Sequence, residues 1–493
     1  MPKKVVVVGA GLAGMACAAR LAHAGYEVRL LEKNSRQGGR LDQHEALGFR
    51  WDTDGASLTM PFVVRHFFQD LKCDLEDYLE LMPLQPCCRF FFQDGQTVRT
   101  WSDLQNMTIE IARREKDHGE RFNRFHKHTQ GLFELSAGFL FPGANSRSSS
   151  AAGRWKNLPK VLGFSSMEGR ARHFFRNPQI ARIFTRHALE LGGSPSQISG
   201  AFLAVAYPEI AFGNWYVRGG MRRLVEAMER LEREKGVQVS LNAEVDGIKT
   251  DDGRRVTGVT IKNGEEIACD AVVVTSDPLD AWESLLRFPG KDRQHRKWTS
   301  SPLSFSHFTV ILGVNKSFQK LEHENVFFPA EEQQEYDDLL KKRVAPKDPT
   351  LQVWVSSRSD PTQAPAGHDN IVIRAHVPAI QPNFSWKENQ ESYANHLIHL
   401  LENRGVFPLL QHVIYRHVIS PLDTADRYFI HHGVASGQAL TSISAYKRRP
   451  SSRAPGVRGL YLAGASVRPG GPLPLVLLSA RNAALTLQRD LPA

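Results

Sequence analysis

The chain has 493 residues, more than one hydrophobic core usually organises, so two lobes are expected. Apolar residues make up 41% and charged residues 23%, which excludes a chain that is disordered throughout. The net charge of +10 favours anionic partners such as acidic lipid head groups, whereas no nucleic-acid-binding module is present to indicate a nucleic-acid partner.

The first elements predict a compact βαβ unit. Residues 4–8 form a β-branched run typical of a buried parallel strand. A helix is predicted at 12–24, ended by Gly25, and a second strand at 27–31. No uninterrupted apolar stretch reaches the ~18–20 residues of a spanning helix. The N-terminus is therefore interpreted as a folded unit and not as a targeting segment.

The middle of the chain divides into a helical part and a mixed part. From about 62 to 207 the pattern is helical and aromatic-rich, with a low-complexity, flexible stretch predicted at 145–153. After Gly219-Gly220, strands alternate with helices, and Asn263-Gly264 predicts a hairpin turn. The predicted helices are 221–235, 392–402 and 475–489, and the predicted strands are 237–245, 256–262, 265–269, 271–275, 305–314, 351–355, 371–377 and 460–463.

The segment between the first strand and helix has the pattern Gly9-x-Gly11-x-x-Gly14. The first glycine allows a tight turn, the second allows close approach of a pyrophosphate, and the third allows the helix to pack on the strand. Glu32 ends the second strand, where a carboxylate accepts hydrogen bonds from ribose hydroxyls. Together these residues predict a dinucleotide site at a helix N-terminus.

The next motifs favour FAD over NAD. Gly38-Gly39-Arg40 can place backbone N–H groups and a cation beside the pyrophosphate, and Asp54-Gly55 follows shortly. Near the C-terminus, a buried strand ends at Gly464, a glycine- and proline-rich loop follows, and a helix begins near Leu475. The N-terminus of that helix could face the flavin N1–C2=O edge, where negative charge accumulates on reduction.

The five cysteines give no sign of disulfides or of a metal site. Their number is odd, and the adjacent Cys87-Cys88 lacks metal-ligand spacing. A reducing cytoplasm fits this pattern best, and small buried side chains are the expected role. No metal ion is expected.

Taken together, these motifs resemble the phytoene desaturase family of carotenoid desaturases, oxidases and isomerases, over nearly the whole chain. The resemblance rests on the N-terminal glycines, on 38–40, on 52–61, on 216–221 with 241–245, on 270–277, and on 464–480. It implies an α/β fold with a Rossmann-type, glutathione-reductase-like FAD-binding lobe and an inserted α+β substrate-binding lobe. The first lobe would comprise 1–61, 215–300 and 415–493, and the second 62–214 and 301–414.

The resemblance also implies which residues contact FAD. Those expected at the ADP part, the pyrophosphate and the flavin are Gly9, Gly11, Leu12, Ala13, Gly14, Glu32, Lys33, Gly38, Gly39, Arg40, Asp54, Gly55, Val245, Gly464, Pro474, Leu475 and Val476. Three positions depart from the family pattern: Arg468 replaces a frequent histidine, Pro472 a glycine and Ala56 a proline. These departures put the family substrate and reaction outcome in question for this chain.

The implied reaction is desaturation of a long apolar isoprenoid, such as phytoene or its C30 analogue, in a tunnel between 62–207 and 301–414. A hydrocarbon binds through apolar area, at about 25 cal/mol per Å² buried, and the cofactor carries the redox chemistry. A conjugated cation is delocalised, so no strong base is essential. The weak catalytic candidates are His173, His187, Glu190, His307 and Arg468.

Other functions share these motifs. A polyene isomerase, an oxidase acting on a terminal carbon, a flavin amine oxidase and a non-enzymatic FAD-binding protein all remain open, although the segment 464–474 argues against the amine oxidase. The basic surface predicts that this protein, which the cysteines suggest is cytoplasmic, docks reversibly on an anionic membrane. The number of desaturation steps, the electron acceptor and the oligomeric state are not determined by the sequence.

Overall fold

Nineteen β-strands are found in the computed structural model, which describes residues 1–115, 119–140, 165–251, 254–286 and 291–493. The stretch predicted at 145–153 lies outside these residues. In chain order the strands are β1 (Lys4–Val8), β2 (Glu27–Leu31), β3 (Gln43–Ala46), β4 (Phe49–Asp52), β5 (Leu81–Pro83), β6 (Cys88–Phe91), β7 (Thr97–Thr100), β8 (Trp215–Val217), β9 (Gln238–Ser240), β10 (Val245–Asp251), β11 (Arg255–Ile261), β12 (Glu266–Ala268), β13 (Ala271–Val274), β14 (Ser306–Val314), β15 (Glu324–Phe327), β16 (Leu351–Trp354), β17 (Asp369–Val377), β18 (Val413–Ile419) and β19 (Leu460–Leu462).

Sixteen α-helices of the described residues connect these strands. They are α1 (Leu12–His23), α2 (Pro61–Asp70), α3 (Leu104–Ala112), α4 (Glu120–Leu140), α5 (Met167–Phe174), α6 (Pro178–Thr185), α7 (Ala188–Leu191), α8 (Tyr207–Phe212), α9 (Arg222–Glu234), α10 (Pro278–Ser284), α11 (Lys291–Thr299), α12 (Glu332–Tyr336), α13 (Trp386–Asn403), α14 (Pro421–Tyr428), α15 (Ile443–Arg448) and α16 (Leu473–Asp490). Short 3₁₀ and π segments lie between them, including 200–206 beside α4.

A five-stranded parallel sheet, in the order β19-β13-β1-β2-β9, carries the nucleotide-binding motif. Its strands come from three separated parts of the chain. The Val-rich β1 and β13 are buried along both faces, as expected for central parallel strands. Helix α1 packs against α16, which brings the N-terminal motif close to the C-terminal segment. The predicted α/β fold is confirmed.

A seven-stranded sheet, in the order β18-β14-β17-β16-β15-β6-β7, forms the second main layer. Strand β18 pairs with β14 at 413–419, so this sheet extends beyond the lobe boundary predicted at 414. Strands β6 and β7 also belong to it, although 62–207 was predicted to be helical. Phe90 and Phe91 lie in β6 because that strand pairs with the distant β15, a contact that local helical patterning does not reveal.

The prediction of one continuous strand at 237–245 is wrong. It divides into β9, in the parallel sheet, and β10, in an antiparallel sheet with β11 and β12. Between them Asn242 has a φ of 54°, and the Ala243 N–H donates to the carbonyl of Glu32 at 2.8 Å. The left-handed backbone conformation of Asn242 turns the chain away from β2, so residues 237–245 cannot form one continuous strand.

No helix among the described residues is long and apolar enough to cross a membrane. All five cysteines are free thiols, and burial raises the pKa of Cys17, Cys87 and Cys269 to about 12. Such thiols stay protonated and behave as small apolar side chains.

Candidate functional site

A cavity of about 1530 Å³ runs from the ends of β1 and β2 to α4 and the 3₁₀ segment at 200–206. Ordinary ligand pockets enclose roughly 300–1,000 Å³, so this cavity has room for more than one ligand. Every predicted FAD-contacting residue lines it except Gly14. At the far end the wall is largely apolar and includes Leu132, Phe133, Leu135, Leu191, Phe202 and Val205.

The glycine motif builds the end of the cavity at β1. Gly9 has a φ of 96°, which permits the sharp turn after the strand. A Cβ on Gly14 would lie 1.9 Å from the Gly9 carbonyl oxygen, so this glycine permits the helix–strand contact behind the cavity wall. Gly11 is the N-cap of α1 and provides no side-chain cap, so the first-turn N–H groups are available to an anion.

Glu32 lies beside this helix terminus with only 6% of its surface exposed. Its Oε2 accepts a hydrogen bond from the Ala10 N–H at 2.7 Å, and its Oε1 accepts from the Asn34 N–H at 2.9 Å. The carboxylate is thereby fixed at the cavity wall. In this position it suits the ribose hydroxyls of an adenosine moiety.

The second glycine loop packs directly on the first. Gly38 bridges to Gly11, and a Cβ on Gly39 would approach the Gly11 Cα to 3.0 Å. Arg40 follows, and its Nε lies 2.9 Å from Asp54 Oδ2. Because the backbone N–H groups and a guanidinium meet here, the residues present fit a pyrophosphate.

The C-terminal segment forms a further part of the cavity wall. Helix α16 has Pro472 as its N-cap, without a side-chain cap, and Pro474 in its first turn. Gly464 has a φ of 131°, and its N–H donates to Ser479 Oγ at 3.1 Å. Arg468 lines the same end, and its buried Nε has no hydrogen-bond partner among the residues that the structure describes. This helix terminus and cation fit the electron-rich edge of a flavin.

Glu324 lies on the cavity wall beyond Gly55. Its Oε2 accepts hydrogen bonds from Ser57 Oγ at 2.8 Å and from Asn214 Nδ2 at 3.1 Å. Burial, and then the nearby Glu209 carboxylate, raise the pKa of Glu324 to about 7. A carboxyl group with this pKa can exchange a proton at neutral pH. Sequence reasoning missed Glu324, since its environment depends on distant segments.

Glu209 belongs to a neighbouring ion pair on the same wall. Burial alone would raise its pKa, but Arg186 and then His187 lower it to about 2. His187, a predicted catalytic candidate, lies with its Nε2 3.5 Å from Glu209 Oε2. His187 therefore supports the Arg186–Glu209 ion pair and lines the cavity beside it.

The other histidine candidates have different locations. His173 is exposed on α5 and is not part of the cavity wall. His307 lines the cavity and lies opposite His376 in the β14–β17 pairing. Glu190 lies between these two rings, with Oε1 3.3 Å from His376 Nε2 and Oε2 4.0 Å from His307 Nε2. The sequence predicted no metal site, and it did not single out His376.

Burial and neighbouring charges set the charge states of Glu190 and His307, which form a cluster with His376. Burial would raise the pKa of Glu190, but His376 and then His307 hold it well below its usual range. Burial, and then the Arg374 guanidinium, lower the pKa of His307 well below 6.5. Glu190 is thus a carboxylate and His307 a neutral imidazole at neutral pH.

The family model described as "Flavin containing amine oxidoreductase" matches residues 12–487. The chain belongs to this family. It is an FAD-dependent oxidoreductase, as its motifs predicted. It is 30% identical over 491 residues to a 4,4'-diapolycopene oxygenase of Methylomonas sp, covering 97% of each chain. It is 28% identical over 487 residues to a 4,4'-diaponeurosporene oxygenase of Staphylococcus haemolyticus (strain JCSC1435), covering 98% of this chain and 96% of the relative.

Solved structures confirm the predicted fold. Cyclohexylamine oxidase from Brevibacterium oxydans IH-35A matches with a TM-score of 0.62 at 16% identity and full coverage of both chains. A putrescine oxidase variant matches with a TM-score of 0.65 at 14% identity, again over 100% of each chain. At these identities the likeness establishes the fold and not the substrate.

Proposed function

We propose that this flavoprotein oxidises a terminal carbon of a long, acyclic C30 carotenoid. The observation that carries this proposal is the single cavity, which joins a site fitted to FAD to an apolar wall interrupted by polar groups. Relatives that span the chain are named as oxygenases of 4,4'-diapolycopene and 4,4'-diaponeurosporene, which supports the substrate class. Desaturation, our first prediction from the sequence, is kept as the second candidate.

The apolar wall supplies the binding energy for such a substrate. A hydrocarbon chain offers no hydrogen-bonding group, so affinity comes from buried apolar area at about 25 cal/mol per Å². Leu135, Phe202 and Val205 come from two separate helical segments and can hold an extended polyene between them.

When bound, FAD would supply the two-electron oxidation of the terminal allylic methyl carbon. The chain's own residues would orient the reactants. Water would provide the oxygen atom, and Glu324 would accept the proton that water loses when its oxygen bonds to that carbon. Ser57 and Asn214 would keep the Glu324 carboxylate in place for this transfer. A carboxyl with a pKa of about 7 suits this role.

Isotope labelling of the product tests this function. The FAD-loaded protein is incubated with the C30 polyene in ¹⁸O-water and, separately, in ordinary water under ¹⁸O₂. A terminal alcohol or aldehyde carrying the label from water supports the proposal, whereas label from ¹⁸O₂ contradicts the proposed oxygen source. Because an aldehyde exchanges its oxygen with water, the product is trapped by reduction at early times.

Hydrocarbon products with additional double bonds would favour the second candidate. That function keeps the same cavity and the same FAD site, and it needs no oxygen donor. Products that differ only in double-bond geometry would indicate the isomerase. Oxidation of amines would indicate the activity named for the fold neighbours, which at 14–16% identity share only the fold.

Delivery of this substrate would require contact with a membrane surface at the cavity mouth. Ile443 and Lys447 line the cavity on α15, and Lys447 and Arg448 are exposed there. Arg449, the third member of this basic run, is buried, and its guanidinium donates to the Ser436 carbonyl at 2.6 Å. Lys447, Arg448 and Ile443 would form the docking surface on anionic lipid.

Co-sedimentation with acidic liposomes tests this docking. Replacing Lys447 and Arg448 with Glu should abolish salt-sensitive binding. The matched control replaces Lys341 and Lys387, two exposed lysines elsewhere, with Glu, which changes the net charge equally. Equal loss of binding in both variants would contradict a local docking surface.

A further inference from the structure

The cluster of Glu190, His307 and His376 joins groups that are far apart in the sequence. The ligand-type atoms of the three side chains all lie within 4.8 Å of one another. The two imidazole rings are perpendicular, with centroids 4.9 Å apart. Glu190 lies deep in the molecule yet keeps 42% of its side chain accessible, because it faces the cavity.

His376 is the most informative member. Its side chain is 1% exposed, and neither ring nitrogen makes a hydrogen bond among the described residues. The Nε2 of His307 is also buried and without a hydrogen-bond partner in this part of the chain. A buried polar group without a partner destabilises the folded state. The unpaired Nε2 atoms of His376 and His307 lie near the Glu190 carboxylate, and a ligand that accepts their lone pairs would satisfy them.

The spacing suits a metal ion. Ligand atoms bound at ~2.0–2.2 Å to one ion lie roughly 3–4 Å apart. The separations of 3.3 and 4.0 Å between Glu190 and the two histidines fall within this range. Gln352 Nε2 donates to Glu190 Oε1 at 3.0 Å, which is the kind of outer contact that orients a metal-binding carboxylate.

The neighbouring charges are compatible with a cation. Arg374 lies near the cluster, but its guanidinium pairs with Asp54, with Nη2 donating to Oδ1 at 3.2 Å, and lies over the Trp354 ring. Glu190 supplies one negative charge directly to the ion. The Arg40 guanidinium pairs with the other oxygen of Asp54, with its Nε 2.9 Å from Oδ2, and its Nη1 donates to the Ala435 carbonyl at 2.6 Å.

We propose that Glu190, His307 and His376 bind a divalent transition-metal ion whose open coordination positions face the cavity. Two imidazoles and one carboxylate suit Fe²⁺, Zn²⁺ or Co²⁺ and leave positions for water or for an oxygen of a bound ligand. Metal binding does not depend on the proposed oxidation of a carotenoid.

Metal analysis of the FAD-loaded protein tests the site without any substrate. The purified protein is stripped with a chelator and titrated with Co²⁺, and the visible d–d absorption is followed after subtraction of the flavin spectrum. We expect about one ion per chain, with imidazole and carboxylate coordination. The same stoichiometry should appear by elemental analysis after reloading with Fe²⁺ or Zn²⁺.

Three variants and a matched control locate the ion. His376→Ala and Glu190→Gln should weaken Co²⁺ binding by more than about 100-fold, and Gln352→Leu by about 10–100-fold. His173→Ala, at an exposed histidine outside the cavity, should leave it unchanged. Bound FAD and circular dichroism report whether each variant is folded. If His376→Ala does not fold, Glu190→Gln alone tests the site. Co²⁺ binding that is absent in the unaltered protein, or equal in Glu190→Gln, overturns the proposal.

Discussion

Replacing Glu324 with Gln should make the protein more stable and less active. Burial and Glu209 raise the pKa of Glu324 from 4.5 to about 7. The native state therefore binds this proton more tightly than the unfolded state does, and stability is lost as the pH rises from 4.5 to 7. A shift of this size corresponds to about 3 kcal/mol. Gln keeps the shape and an acceptor oxygen for Ser57, but it carries no charge.

The gain in the free energy of unfolding should therefore depend on pH. It should be near zero at pH 4.5, grow through the window up to pH 7, and remain at about 3 kcal/mol at pH 8. Denaturant unfolding of the FAD-loaded protein and of the variant at these pH values measures it. Polyene oxidation by the unaltered protein should increase with pH, with an apparent pKa near 7, as Glu324 loses its proton.

The activity of the variant provides the second arm of this test. Loss of a proton acceptor should lower turnover by roughly 10²–10⁴-fold, with FAD still bound. A gain in the free energy of unfolding that is the same at pH 5 and pH 8, or a variant that keeps full activity, would refute the role assigned to Glu324. A more stable and fully active variant would leave the raised pKa intact and remove the catalytic assignment.

Three further substitutions test the cavity. Gly14→Ala should abolish FAD retention, because its Cβ would lie 1.9 Å from the Gly9 carbonyl oxygen; flavin absorbance after gel filtration measures this. Glu32→Gln should weaken FAD binding by about 10–100-fold, because the amide cannot replace both charged acceptor oxygens. Glu27→Gln, at an exposed position, should leave FAD binding unchanged, and fluorescence titration measures both affinities. Val205→Trp should retain FAD and lose polyene turnover by filling the apolar end, and unchanged turnover would contradict the assigned path.

The nucleotide-binding unit was predictable because its information is local. A Val-rich strand is followed by Gly9, Gly11 and Gly14, and a helix begins within this motif. Glycines at this spacing are typical of one local structure, the tight turn between a strand and a helix. The helix α16 was likewise indicated by its proline-rich start. By contrast, the break between β9 and β10 depends on the bond from Ala243 N–H to the Glu32 carbonyl, which joins distant segments.

The polar part of the site could be predicted only in part. Glu190 and His307 were selected as isolated candidates, but their proximity follows from the register that sets His307 opposite His376 in β14 and β17. Register between strands so far apart is a property of the folded sheet and not of either segment. The available signal was the alternation of Arg374 and His376 with apolar residues in β17, since buried strands seldom carry polar side chains without a function.

The central claim is that one cavity holds FAD and a polyene together. The most direct test is anaerobic mixing of the FAD-loaded protein with an acyclic C30 polyene in liposomes, following flavin absorbance in a stopped-flow instrument. We expect the flavin absorbance to bleach at a rate that saturates with polyene, and Val205→Trp to abolish this bleaching while retaining FAD. Bleaching by aliphatic amines with no response to the polyene would contradict the account.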